Sequence, residues 1–346
     1  MDAPPPQSWS DAARACWARR HRPRSRRAST GDSRMPIIRT VLGDIAPAEL
    51  GICLPHEHVY GQPPSPYAEP DLILDDEAGV IAELRSYYAA NGHALVEMTT
   101  PDYGRNAAAM QRISRASHIH IIAATGYNKE KFSAPFLDSA DVETLAARFT
   151  AEVQHGMDGT DARAGVIKAS STLNTISPLA EKLFAAAALA HHRTGAPIST
   201  HTEAGTMALE QVDLLTRAGV APACIIIGHT DRNPDFALHT ALAERSVFLG
   251  YDQIGKAKYH PDSLRADLIV RMVDAGFGGQ LLLAGDRARK SNWAAHGGQG
   301  YAHVLMSFVP LLRTRGLDDA HIDALLIANP ARALAFEPKE AEEAEE

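Results

Sequence analysis

The chain has 346 residues, is 45% hydrophobic and 22% charged, and carries a formal charge of −8 at pH 7. That composition excludes disorder over most of the length, the acidic balance excludes a general nucleic-acid binder, and no apolar run reaches the roughly 18 residues of a membrane span. Three cysteines without a close pair (Cys16, Cys53 and Cys224) supply neither a disulfide framework nor a zinc ribbon.

Residues 1–34 hold eight arginines against three aspartates, without periodicity or an apolar segment. They read as a disordered basic extension or as sequence upstream of a true start at Met35; an Arg-rich targeting peptide is the other reading. Residues 35–336 are predicted to form one domain, and residues 337–346 (EPKEAEEAEE) a solvated acidic tail. Within the domain, short β-branched runs alternate with Ala-rich or amphipathic stretches. Strands are predicted at 51–58, 94–99, 119–125, 165–168, 197–201, 224–229, 247–252 and 280–286, and helices at 76–88, 142–155, 179–193, 208–218 and 263–275. Asn233-Pro234 reads as an N-cap and first helical residue, and Gly92, Gly195 and Gly219 sit just past helix ends. Eight near-continuous hydrophobic strands separated by helices predict a parallel α/β sheet covered on its outside, and eight is the number that closes a TIM (β/α)8 barrel. A doubly wound open sheet is the competitor, but no GxGxxG turn follows the first strand.

The strand ends carry the chemistry. Strand one finishes in His56-Glu57-His58, strand four in Lys168, strand five in His201, strand six in His229 and strand eight in Asp286. In a closed parallel barrel these C-terminal ends share one face, where active sites are built. Strand alternation points His56 and His58 the same way and Glu57 outward. Four imidazoles, an amine and a carboxylate then converge, a set that suits zinc, manganese, iron or cobalt with positions left open for water. A lone strand-end histidine is usually a structural residue; six such groups in register are a site.

These residues and their flanks (LPHEHVYG, ATGYN, GVIKAS, ISTHTEAGT, IIIGHTDRNPD, GYDQIGKAKY, LLLAGDRARKS and NPARAL) resemble the phosphotriesterase branch of the amidohydrolase superfamily, from about residue 38 to residue 336. The resemblance implies a binuclear metal centre at the C-terminal ends of the strands. His56, His58 and Asp286 would hold one divalent ion and His201 and His229 the other, with Lys168 bridging them as a carbamate made from carbon dioxide. Zinc is the first expectation; cobalt, manganese or iron would fit the same set. An unmodified ammonium has donors and no acceptor, so Lys168 suits this role only as the carbamate, and burial beside positive charge supplies the neutral amine it needs. The alternative is a lysine that salt-bridges Asp286. The implied reaction is hydrolysis of an ester, lactone or phosphoester by a metal-bridging hydroxide, with Asp286 taking its proton.

The substrate is read from the loops. Tyr127, after strand three, is expected either to hydrogen-bond a lactone oxygen or to fill the barrel mouth. Lys129 and Lys131, Lys256 and Lys258, and Arg287, Arg289 and Lys290 follow strands three, seven and eight, and would together select an anionic small molecule. The expected activity is a lactonase opening a sugar lactone or phosphorylated sugar lactone. A phosphotriesterase or acyl-homoserine lactonase is the alternative, and an inactive binding barrel a distant one. The polar stretch 255–262 offers an acyl chain no apolar entrance. Cys53 reads as a buried thiol, Glu97 stands where Asp is more usual, and Trp293 either covers the site or packs. The stretch after Asp286 should add a lid and an extra helix. The resemblance also implies a homodimer; no tripartite signal precedes Met35, which points to the cytoplasm, with no membrane partner.

Overall fold

The computed structural model describes residues 35–339, so the expectations for residues 1–34 and for the end of the acidic tail lie outside the described residues. The first pairing is local: β1 (Ile38–Thr40) and β2 (Gly43–Ile45) form an antiparallel hairpin. Gly43 takes φ 125° in its turn, and Arg39 grips Asp44 through Nε and Nη2, each at 2.8 Å. Two three-residue strands are too short to show a period, so this hairpin has no sequence signature.

Eight strands follow: β3 (Cys53–Glu57), β4 (Ala94–Glu97), β5 (His120–Gly126), β6 (Ala164–Ser170), β7 (Ile198–His201), β8 (Ile225–Ile227), β9 (Phe248–Tyr251) and β10 (Leu281–Leu283). They pair in chain order and all in parallel. The helices around them are α1 (Glu77–Ala89), α2 (Ala107–Ser117), α3 (Glu130–Asp138), α4 (Val142–Gln154), α5 (Pro178–Thr194), α6 (Ala208–Arg217), α7 (Phe236–Glu244) and α8 (Asp262–Asp274). The result is a TIM barrel. One face of the strands (Cys53, Val96, Ile122, Val166, Ile226, Leu282) packs inward over Ile38, Leu50 and Leu334. The other (Leu54, Leu95, Ile121, Ile167, Ile198, Leu283) packs under the helices.

Helix ends follow side-chain chemistry. Ser177 accepts from the Ala180 N–H ahead of Pro178, and Gly195 closes the same helix at φ 82°. The α7 cap is Asp235, not Asn233: its carboxylate reaches the Ala237 N–H at 2.9 Å, while Asn233 precedes the helix in an extended conformation. Beyond β10, helical stretches cover residues 304–314 and 319–334. Trp293 is fully buried and stacks on His296, so it packs and does not cover the barrel mouth. Among the described residues no helix is long and apolar enough to cross a membrane.

The barrel seam depends on Glu57. Between β10 and β3 one backbone bond, from Asp286 N–H to the His56 carbonyl (3.1 Å), is joined by two to the Glu57 carboxylate, from Gly285 N–H (2.6 Å) and Arg287 N–H (2.7 Å). Glu57 points away from its neighbours His56 and His58, into this seam and not into solvent. Burial raises its carboxyl to about 7, against the pull of Arg287 and the two N–H donors. Glu57→Gln puts an amide NH2 against one of those N–H groups, and should cost about 1–3 kcal/mol. The urea midpoint should fall with an unchanged slope; a wild-type midpoint would show that the seam does not need the carboxylate.

Candidate metal centre

Simple alternation would not bring the six strand-end groups together. Counting from inward-facing Cys53, His56 should face the helices. A register shift between Leu54 and Glu57 turns it, with His58, into the barrel mouth. His229 is out of phase with inward-facing Ile226, and a left-handed backbone (φ 59°) rotates it in; Asp286 is also left-handed, at φ 47°. Such conformations cost about 1–3 kcal/mol each at a residue other than glycine, and persist where the surroundings over-determine them. Here the His229 N–H donates to Asp252 Oδ2 at 2.9 Å and the Asp286 N–H to the His56 carbonyl. Lys168 lies two residues before the end of β6 and faces inward with Val166. His56, His58, Lys168, His201, His229 and Asp286 thus all line one cavity of about 180 Å³.

Each of the four imidazoles is held from outside by one ring nitrogen. Asp252 lies between two of them, with His229 Nδ1 at 2.6 Å from Oδ1 and His56 Nδ1 at 3.3 Å from Oδ2. His58 Nδ1 bonds Thr99 Oγ1 at 2.8 Å, and His201 Nε2 bonds Glu203 Oε2 at 3.3 Å. Outer partners of this kind fix the tautomer and leave the other nitrogen for a metal. Burial holds His56 and His201 well below the usual imidazole range, and His58 below it, which favours the neutral form a ligand needs. Ligand atoms of His56, His58 and Asp286 all lie within 4.8 Å of one another. The donor set of neutral imidazoles and a carboxylate therefore fits a divalent ion.

Lys168 is 1% exposed, and its Nζ donates to the Met98 carbonyl at 2.7 Å. Burial pulls its ammonium down to about 8, against the attraction of Asp286, Asp102 and Glu97. The salt bridge to Asp286 is made by Lys256 instead, at 2.5 Å to Oδ2. Gln253 Nε2 donates to the same oxygen at 2.9 Å, and His58 Nε2 lies 3.3 Å from Oδ1. Burial alone would raise the Asp286 carboxyl, but Lys256 and the histidines hold it well below the usual carboxylate range.

The model of the phosphotriesterase family matches residues 36–334. The chain belongs to that family. A phospho-furanose lactonase of Mycoplasmopsis synoviae is 32% identical over 325 residues, covering 87% of this chain and 92% of that protein. The crystal structure of a lactonase from Listeria monocytogenes superposes with a TM-score of 0.83 at 34% identity, covering 87% of this chain and 99% of that one. The phosphotriesterase homology protein of Escherichia coli, crystallised with phosphate in its active site, gives a TM-score of 0.80 at 34% identity, covering 82% and 98%. A member of the phosphotriesterase family with these relatives is a hydrolase acting on ester bonds, and the family is binuclear and metal-dependent.

The loop cations of this phosphotriesterase-family barrel divide. Lys129, Lys131, Lys256, Lys258 and Arg289 line the cavity with the aromatic rings of Tyr103, Phe132 and Tyr259. Arg287 does not: it is 1% exposed, and its Nε donates to the Gly300 carbonyl at 3.0 Å, bracing the chain after β10. Lys290 is drawn off the cavity by Asp75, at 2.8 Å. Tyr127 is also misplaced by the sequence argument. Gly126, at φ 87°, passes close to the Lys168 carbonyl. Tyr127 beyond it is buried, stacked on Phe136, with its hydroxyl accepting from Arg148 Nη1 at 2.8 Å. It does not line the cavity.

Asp252, Gln253, Thr99, Glu203 and Tyr103 escape the sequence argument. Asp252 alone had a signal, as a carboxylate at the end of an apolar strand pointing to the active face. Glu97 is fully buried, accepts from the Val59 and Thr99 N–H groups, and is raised to about 7 by burial. It braces the turn that carries His58.

Proposed function

We propose that the protein is a lactonase that opens sugar lactones, with phosphorylated lactones preferred, using two divalent ions, zinc first among them, bridged by carbamylated Lys168. The observation that carries this reading is the two-sided cavity. Its floor holds four histidines, Lys168 and Asp286, and its wall holds Lys131, Lys258 and Arg289. The phospho-furanose lactonase relative and the phosphate in the Escherichia coli active site support an anionic substrate.

When bound, the two ions supply Lewis acidity and bring the ionisation of water towards neutral pH. His56, His58 and Asp286 would hold one, His201 and His229 the other. Asp286 Oδ2 accepts a proton from the water that attacks the lactone carbonyl carbon, and it is anionic and fixed in place for this by Gln253 and Lys256. As the ring C–O bond breaks, the same proton passes to the departing ring oxygen, and the product is the open hydroxy acid. Lys131 and Lys258, which have no carboxylate partner among the described residues, bind the substrate anion by charge-assisted hydrogen bonds. Tyr103 and Phe132 add apolar lining for the carbon side of a sugar ring.

The test compares kcat/KM for a phosphorylated furanose lactone, its unphosphorylated counterpart and a paraoxon-like triester. The phosphorylated lactone should lead its neutral counterpart by at least about tenfold, equivalent to about 1.4 kcal/mol of transition-state binding. A triester favoured over both lactones by the same factor would overturn the assignment.

A further inference from the structure

Lys129 lines the cavity, yet its charge is already engaged. Its Nζ lies 2.7 Å from Glu203 Oε2, and Arg232 Nη1 holds the other carboxylate oxygen at 2.8 Å. Oε2 is also the partner of His201 Nε2. Glu203 therefore collects a cation from the loop after β5, another from the loop after β8, and the imidazole that ends its own strand. The local sequence enforces this. Glu203 lies two residues beyond His201, the last residue of β7, in the bend that follows the strand, and its carboxylate comes back to the His201 ring. The chain turns at once through left-handed Ala204 and Gly205, and the Glu203 carbonyl is tied by Thr206 N–H (3.1 Å) and Oγ1 (2.8 Å).

We propose that Glu203 is the positioning residue for His201, and that Lys129 serves Glu203 and not the substrate. His201 differs from its three companions in the nitrogen it commits. His56, His58 and His229 are held through Nδ1, whereas His201 is held through Nε2. With its Nε2–H donated to Glu203, His201 presents its Nδ1 lone pair beside the His229 ring, whose centroid is 4.5 Å from its own. Among the described residues Glu203 is the only hydrogen-bond partner of the His201 ring. A flipped or wrongly protonated His201 would remove half of the protein's imidazoles from the second metal position. The ion pairs around Glu203 are partly exposed, and pairs of that kind contribute about 1 kcal/mol or less to stability. A staple between loops is thus a weak reason for three groups to converge on one carboxylate; orientation of a ligand is a stronger one.

The inference rests on the metal-centre assignment made above, and the test separates the two. Cobalt(II) is titrated into the metal-stripped full-length chain, with calorimetry for the two binding constants and visible absorption for the coordination. Wild type should take two ions; uptake of fewer would overturn the metal assignment, and the inference with it. Glu203→Ala should weaken the ion held by His201 and His229 by about 10–100-fold, the range seen when outer partners of metal ligands are removed, while the ion held by His56, His58 and Asp286 keeps its affinity within about threefold. Glu203→Gln keeps an acceptor for the Nε2–H and should lose less than about tenfold. Lys129→Met should weaken the same ion several-fold and leave KM for the phosphorylated lactone nearly unchanged. If wild type binds two ions and both Glu203 variants keep both constants, or lose both equally, the positioning role is wrong, whatever happens to Tm.

Discussion

Lys168→Ala is expected to lose both ions and at least about 10³-fold in kcat/KM, because Lewis-acid stabilisation is worth several kcal/mol and each 1.4 kcal/mol is tenfold in rate. Truncation of an ordinary buried lysine would do neither. Lys168 is enclosed at the floor of the cavity, with one hydrogen bond to the Met98 carbonyl and no ion pair among the described residues. Its burial-lowered ammonium leaves a substantial neutral fraction near pH 8. The ammonium first gives up one proton; the neutral amine then adds to carbon dioxide, the N–C bond forms and a second proton is released, leaving an anionic carbamate with two ligand oxygens. Alanine removes those oxygens and leaves a space that a short carboxylic acid can enter. Metal analysis should therefore fall from about two ions per chain to near none in the plain variant, and return in part with added acetate or propionate. Full metal content and activity in Lys168→Ala without the acid would end the bridging assignment.

The six strand-end groups were legible because two periodicities coincide, the eight-fold beat of the chain and the shared face of parallel strand ends. The means of their convergence was not. The register shift in β3 and the left-handed His229 depend on how neighbouring strands pair, which no single run reveals. The substrate side was less legible for a related reason. Lys290 is neutralised by a carboxylate 215 positions away, and Arg289 shares Glu69 and Asp71 at 3.2 and 3.3 Å. Charge clusters in sequence do not announce such partners. Tyr127 failed on a local detail, a glycine at φ 87° in front of it. Among the helices, α3 and α7 had weak signatures: α3 is nine residues long with Pro135 inside it, and α7 is nine residues long and capped by Asp235, just past the Asn-Pro pair. Short helices that rely on the barrel for stability show their pattern only in place.

Asp286→Asn should separate metal binding from proton transfer. The carboxamide keeps an oxygen for coordination and nearly the same shape, but it cannot accept a proton from water. A positioned general base is worth about 10²–10⁴ in rate, so kcat should fall by that factor while metal content stays near wild type and KM moves by a few-fold. The surroundings argue for this separation. Asp286 Oδ1 faces His58 Nε2, and Oδ2 receives both Lys256 and Gln253, so the two oxygens already have distinct partners. A substitution that merely loosened the site would lose metal and activity together, and one at a bystander carboxylate would lose neither. Lys256→Met provides the complementary measurement. It leaves Asp286 able to accept a proton but without its ion pair, so kcat should fall less than in Asp286→Asn. A variant Asp286→Asn that retains two ions and more than about a tenth of wild-type kcat would move the proton-accepting role away from Asp286.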